Sequence, residues 1–394
     1  MKIKGLVKSV MASAVSSAFM LQPILFHASA IEKNVAVNEA NVLKLLNEYD
    51  KDGEYIMQFG INDGDDILEW FNHGTTIIDD ISTAVHEETH GYILQKHRTE
   101  EEEIYIGNKD SIHVTYTDVF DSQEMVSEIP DELQTFRFDD YVGKPDPDMA
   151  SNKDGVYGLL NEFTAYCWDL NNTICLYDYY KLEANTDDDW LDYVNKLQNG
   201  RMAYSEFNFY ILKYLEYAQI KHPDIYEKII TNKSFTEAYT TIENKYHGLV
   251  ETADMYINEL LNEKNGKIED GFFYLGSSGI SISDEDYTKL ITEVGKNDYQ
   301  VIYKAIGGMN STTSGNVATS TNTSVGTNGT SISSTTTPTT TYSYSSIISS
   351  IGNGETEETA LFTVSNCVLG IMWIFSLLGV IIIVTELIKA RKKK

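Results

Sequence analysis

The sequence predicts an α+β domain followed by one C-terminal transmembrane helix. Apolar residues at helical spacing between 75 and 96, two short segments of strand-like alternation between 103 and 120, and a mostly helical pattern from Tyr157 to about Ile306 predict the domain. A long uncharged apolar run near the end predicts the membrane helix.

The first thirty residues have the pattern of an export signal. Lys2, Lys4 and Lys8 precede a mostly apolar stretch from Val10 to Phe26, and Ala28-Ser29-Ala30 supplies small residues for cleavage. An uncleaved N-terminal anchor is the alternative, but Ser13, Ser16, Ser17, Gln22 and Pro23 weaken the stretch as a permanent span. Leu361 to Thr385 carries no charge, and roughly 25 residues of helix reach roughly 37 Å, enough to cross a bilayer of about 30 Å. Lys389, Arg391, Lys392, Lys393 and Lys394 follow, and such a cluster stays on the cytoplasmic side. The expected organisation is a signal at 1–30, an ectodomain at 31–304, a stalk at 305–359, a transmembrane helix at 360–388 and a basic tail at 389–394. The protein is thus expected in the cell membrane, single-pass, with its N-terminal domain extracellular.

The stalk follows from composition. Residues 305–354 lack charge and are dominated by Ser, Thr, Gly and Asn, too polar to offset the entropy of ordering them. Asn310, Asn322 and Asn328 begin Asn-x-Ser/Thr triplets within it.

The chain has 30 Lys+Arg against 59 Asp+Glu. Eight of the basic residues and one acidic residue, Glu386, lie in the signal and from Ala360 onward, so the ectodomain carries 36 excess negative charges. Such a surface repels nucleic acid and anionic lipid, which excludes DNA or RNA as a partner. Cys167 and Cys175 are the ectodomain cysteines, and a disulfide between them needs the helix to break near Asn171-Asn172.

Within the ectodomain, Ile77, Ile78, Ile81, Val85 and Tyr92 mark a helix over 75–96. Ile104-Tyr105-Ile106 and Ile112-His113-Val114-Thr115-Tyr116 predict two strands, joined by a turn at Gly107-Asn108-Lys109-Asp110. Beyond Tyr157, helix breaks are expected at Asn185 to Asp188, at His222-Pro223 and from Gly276 to Ser283.

The chemistry centres on His86-Glu87-Glu88-Thr89-His90, an H-E-x-x-H pattern. On a helix, residues four apart differ by about 40° around the axis, so both imidazoles face one point where a Zn2+ ion can sit. Glu87 lies where it reaches water at the metal rather than the metal itself, the position of a general base. Glu88 points away and is expected to solvate the outer face. A third ligand is needed, and the extended metzincin pattern is absent because Lys96, not histidine, lies six residues beyond His90. Glu162, an acid inside the apolar helical segment Gly158 to Tyr166, is the best candidate, since a buried carboxylate calls for a cation. His113 is the alternative ligand. His97 is expected to be solvated, and His73, His222 and His247 to be surface residues.

Over residues 75–170 these two short motifs resemble the gluzincin class of metallopeptidases, whose second zinc helix supplies a glutamate from an Asn-Glu-like motif, here Asn161-Glu162. The resemblance implies a two-lobed metallopeptidase domain, with a small, partly β N-terminal lobe and a mainly helical C-terminal lobe. It also implies hydrolysis of a peptide or protein substrate. Many gluzincins carry an aspartate one turn after the ligand glutamate; Tyr166 stands there, and Asp169 lies about 10 Å further along the axis from Glu162. Tyr166, or less favourably Tyr157, is a candidate donor to the tetrahedral intermediate. The alternative function is a non-catalytic stalked surface adhesin or binding module that keeps an inert zinc site.

Overall fold

A computed structural model of the chain describes residues 36–71, 76–95 and 100–308, which belong to one compact unit. The expected signal, nearly all of the stalk, the transmembrane helix and the basic tail lie outside the described residues, as do His73 and His97. Among the described residues no helix is long and apolar enough to cross a membrane.

The described chain is mostly helical with two small antiparallel sheets, in keeping with the α+β expectation. Two helices, α1 (Glu39–Tyr49) and α2 (Lys51–Asp63), precede the motif helix α3 (Ile77–Gln95). Asn38 caps α1 by accepting from the Asn41 N–H, and Asp50 caps α2 by accepting from the Gly53 N–H. The hairpin follows as β1 (Glu101–Gly107) and β2 (Asp110–Thr115), in register from Glu101 opposite Thr115 to Tyr105 opposite Ser111, with a bulge before Gly107 pairs with Asp110. Its turn places Asn108 and Lys109 at positive φ, which suits the right-handed twist of the strands.

After short 3-10 and π turns and the single turn α4 (Ala150–Lys153) comes α5 (Gly155–Cys175), buried on nearly every face between Gly155 and Thr173. A helix buried all round forms the centre of a core rather than its wall. The rest of the helical part is α6 (Tyr177–Glu183), α7 (Asp187–Lys221), α8 (Pro223–Thr231) and α9 (Lys233–Glu263). The breaks at Asn185 to Asp188 and at His222-Pro223 fall where expected. Thr186 and Asp189 form a reciprocal capping box at the start of α7, and Pro223 opens α8 at the position that needs no N–H. The region before Ser283 differs from expectation. Lys267–Glu269, Phe272–Leu275 and Ser278–Ser281 pair as an antiparallel sheet, β3-β4-β5, where the sequence suggested only an interruption between helices. Helices α10 (Asp284–Val294) and α11 (Asn297–Ala305) complete the described chain.

α3 and α5 lie antiparallel. Ser82 Oγ reaches Asn172 Oδ1 at 3.0 Å and Thr173 Oγ1 at 3.1 Å, while His90, two turns later on α3, meets Asn161 on α5. The hairpin is held across this pair by Tyr105, whose ring packs on Trp168 and Tyr92 and whose carbonyl accepts from Trp168 Nε1 at 3.0 Å. The break near Asn171-Asn172 that a disulfide would need does not occur. Both amides are buried and donate to the Asp50 carboxylate, so these polar residues tie α5 to the start of α2 rather than ending the helix. With α5 unbroken, Cys167 and Cys175 are free thiols, which corrects the possible disulfide.

Candidate metal centre

The candidate centre is made where α3 and α5 face each other. The apolar side of α3, Ile77, Ile81, Ala84, Val85 and Ile93, is buried and fixes the helix's rotation. That rotation turns His86 and His90 toward α5. Leu159, Leu160 and Phe163 anchor α5 in the same way and present Asn161 and Glu162 to the two histidines.

The donor atoms converge. His86 Nε2 and His90 Nε2 are 3.1 Å apart, and Glu162 Oε2 lies 3.4 Å from His90 Nε2 and 4.0 Å from His86 Nε2. Among the described residues, His86, His90 and Glu162 form the one group of three or more His, Cys, Asp or Glu residues that can hold a metal ion. A tetrahedral zinc site with bonds of about 2.0–2.1 Å sets neighbouring ligand atoms about 3.3 Å apart, within the range seen here. Glu162 Oε2 is buried and accepts no hydrogen bond, as suits an oxygen that faces a cation.

The electrostatics fit the same use. Burial pushes His86 well below its usual range, and the charges of His90 and Arg137 act in the same direction, so it is a neutral imidazole. Burial works to lower His90 as well, but Glu162, Glu87 and the bond to Asn161 lift it to about 9. The carboxylates thus make the space beside His90 attractive to a cation. Burial also raises Glu87, with His90 lowering it and Glu162 raising it further. A carboxylate raised toward neutrality is a better proton acceptor than one in water.

Each histidine is held by a different contact. His90 Nδ1 lies 2.6 Å from Asn161 Oδ1, a bond in which the ring N–H donates. His86 Nδ1 is buried without a hydrogen-bond partner. Tyr166 packs edge-on against the His86 ring instead, with centroids 4.3 Å apart. Tyr166 therefore orients His86 through its ring.

Two residues that sequence reasoning did not identify complete this wall. The Arg137 guanidinium lies 4.6 Å from the Tyr166 ring centroid, and the Tyr141 and Tyr166 hydroxyls are 3.0 Å apart. Arg137 is buried and donates from Nη1 to Glu206 Oε2 at 2.7 Å and from Nη2 to Asn199, while its backbone N–H donates to Glu206 Oε1. Burial raises both tyrosines, so each keeps its proton at neutral pH and stays a donor. Arginine is scarce in this chain, with four among 30 basic residues, and that scarcity was the available signal for Arg137.

The remaining candidates lie elsewhere. His113 sits on β2, half exposed beside Glu103, and takes no part in the cluster. His222 stacks on Phe120 and reaches Glu124, and His247 lies near Glu251. The Tyr157 hydroxyl is occupied by Thr117 and Asn232, in a structural junction. Asp169 is buried near the same region, and burial raises it to about 6, against Lys196 and Arg137.

Glu88 requires a correction. It does not solvate an outer face but is buried, accepting from Trp70 Nε1 at 2.9 Å. It packs so tightly on α2 that a Cβ at Gly60 would lie 1.9 Å from Glu88 Oε2. The face of α3 opposite the histidines is covered by α2 and the turn Ile67–Trp70, which a reading of α3 alone does not show.

No protein-family model matches the chain, and no curated protein and no solved structure is detectably similar to it.

Proposed function

We propose that this protein is a zinc-dependent metallopeptidase of gluzincin type, with His86, His90 and Glu162 as the metal ligands. The observation that carries the proposal is the approach of Glu162 Oε2, from a separate helix, to the two Nε2 atoms of the H-E-x-x-H motif. A bound zinc ion supplies Lewis acidity at the scissile carbonyl and acidifies water at the site. Glu87, half-buried beside the ligands and raised by its desolvation there, takes the proton of the attacking water and later delivers it to the leaving amine. Tyr166 keeps its hydroxyl proton and donates toward the developing oxyanion, with Tyr141 and the Arg137 guanidinium fixing its position. Arg137 is already paired with Glu206, so it holds the wall rather than a substrate. The apolar run Leu361 to Thr385 and the basic cluster after it support placing this activity outside the cytoplasm on a membrane-anchored chain.

The test is elemental analysis of the purified chain without added metal, combined with peptide cleavage before and after chelation. One zinc per chain and chelator-sensitive cleavage restored by zinc are expected. Zinc without cleavage of any peptide in a mixed library supports the inert-site adhesin instead. No zinc, even after addition, removes the metal-site reading.

A further inference from the structure

His90 can offer Nε2 to a metal only in the tautomer with its proton on Nδ1. The Asn161 amide decides this. With Oδ1 toward the ring at 2.6 Å it accepts the Nδ1 proton, whereas a flipped amide would turn its NH2 to Nδ1 and favour the proton on Nε2. What keeps the amide from flipping is its other end. Asn161 Nδ2 lies 3.4 Å from Glu102 Oε1 on β1, and the Tyr116 hydroxyl, just beyond β2, donates to the same oxygen. Glu102 and Asn161 are both buried, so water does not substitute for either partner. A flipped amide would set oxygen against oxygen at Glu102 and donor against donor at His90.

We propose that Glu102 is a positioning residue for the metal centre, locking the Asn161 amide and through it the metal-binding tautomer of His90. The proposal rests on the metal-site reading above. It gives the hairpin a role beyond packing, since β1 brings Glu102 and the chain leaving β2 brings Tyr116. Burying a carboxylate with Oε2 unpaired is costly, which a purely apolar filler would avoid.

Zinc affinity of the purified full chain, measured by competition with a chromophoric chelator, tests it. Glu102→Met should weaken zinc about 10-fold, at the low end for residues behind a ligand, since Glu102 acts through one more bond. Glu102→Gln should stay within about 3-fold of the parent, because its amide oxygen still accepts from Asn161. In an Asn161→Ala background, Glu102→Met should add less than about 2-fold, since the two act as one unit. The visible spectrum of the cobalt(II)-substituted chain should change with Glu102→Met and not with Glu102→Gln. If Glu102→Met does not fold because the Tyr116 hydroxyl is orphaned, the pair Glu102→Met with Tyr116→Phe is compared with Tyr116→Phe alone. Unchanged affinity in Glu102→Met, or losses that add in the double variant, overturns the inference while leaving the metal site in place. Failure of the parent chain to bind zinc removes the metal site and this inference together.

Discussion

Glu162 on α5, facing the two histidines, and Glu88 on the opposite face of α3 should respond to alanine in opposite ways. Glu162 Oε2 faces both imidazoles, at 3.4 and 4.0 Å, and accepts no hydrogen bond. Groups behind a ligand typically change metal affinity by about 10–100-fold, so removing a ligand itself should cost at least about 100-fold, or about 2.7 kcal/mol. In the metal-free fold the substitution also removes the pairing of Glu162 with His90 at 3.4 Å, so zinc affinity rather than melting temperature reads its role as a ligand. Glu88 is the reverse. Its removal orphans the Trp70 indole N–H, a loss of about 1–3 kcal/mol. Part of that loss is offset, since Glu88 Oε2 is itself buried without a partner and burial lifts this carboxyl to about 7. A net cost near 1 kcal/mol lowers the melting temperature by about 2–4 °C for a domain of this size. Chelator competition reads the first effect, and thermal melting of the metal-free protein reads the second. Retention of zinc within about 3-fold by Glu162→Ala, or a loss of zinc by Glu88→Ala larger than that, refutes the assignment of Glu162 as ligand and Glu88 as structural.

Other outcomes follow from the same geometry. Glu87→Gln should keep zinc within about 3-fold and lower kcat by about 100-fold or more; a variant that loses the metal shows that Glu87 is a ligand and not a base. Tyr166→Phe should lower kcat about 100-fold at nearly constant KM and zinc content, and an unchanged kcat removes it from the reaction. Asp169 has a native pKa raised by burial to about 6, so between about pH 4 and 6 the folded state binds more protons than the unfolded state and stability falls as pH rises. Asp169→Asn should therefore stabilise the protein by roughly 1–3 kcal/mol at pH 7.5 and hardly at all at pH 4, and urea melts showing equal gains at both pH values contradict this.

Features written in short stretches of chain were legible in the sequence. The α3 helix, the β1-β2 hairpin and the breaks before α7 and α8 depend on periodicity, turn residues and caps within a few positions. Glu162 was legible because an acid inside an apolar helix stands out against its neighbours. What was hidden depends on partners far along the chain. Glu88 looked solvent-facing because its burial comes from Trp70 and Gly60, on elements before α3. The role of Asn171 and Asn172 was hidden because the Asp50 carboxylate that receives them lies more than one hundred positions away. Arg137 sits in a segment without regular periodicity, so nothing local indicated that Glu206 on α7 would bury it beside Tyr166.

The charge balance around the centre argues for a cation independently of the H-E-x-x-H spacing. Arg137 is the buried positive charge nearest this wall, and Glu206 neutralises it at 2.7 Å. Glu87 and Glu162 remain beside two imidazoles of which His86 stays neutral. Clustered buried carboxylates without a counter-charge cost several kcal/mol unless protons or a metal compensate them. His90, lifted to about 9 by those carboxylates, marks where that compensation is strongest. A proton there relieves one unit of charge and blocks Nε2, whereas a divalent ion relieves two and uses both Nε2 atoms and Glu162 Oε2 at once. The arrangement of donors thus matches a divalent ion better than it matches a proton, and it places Glu87 beside that ion without requiring Glu87 to bind it.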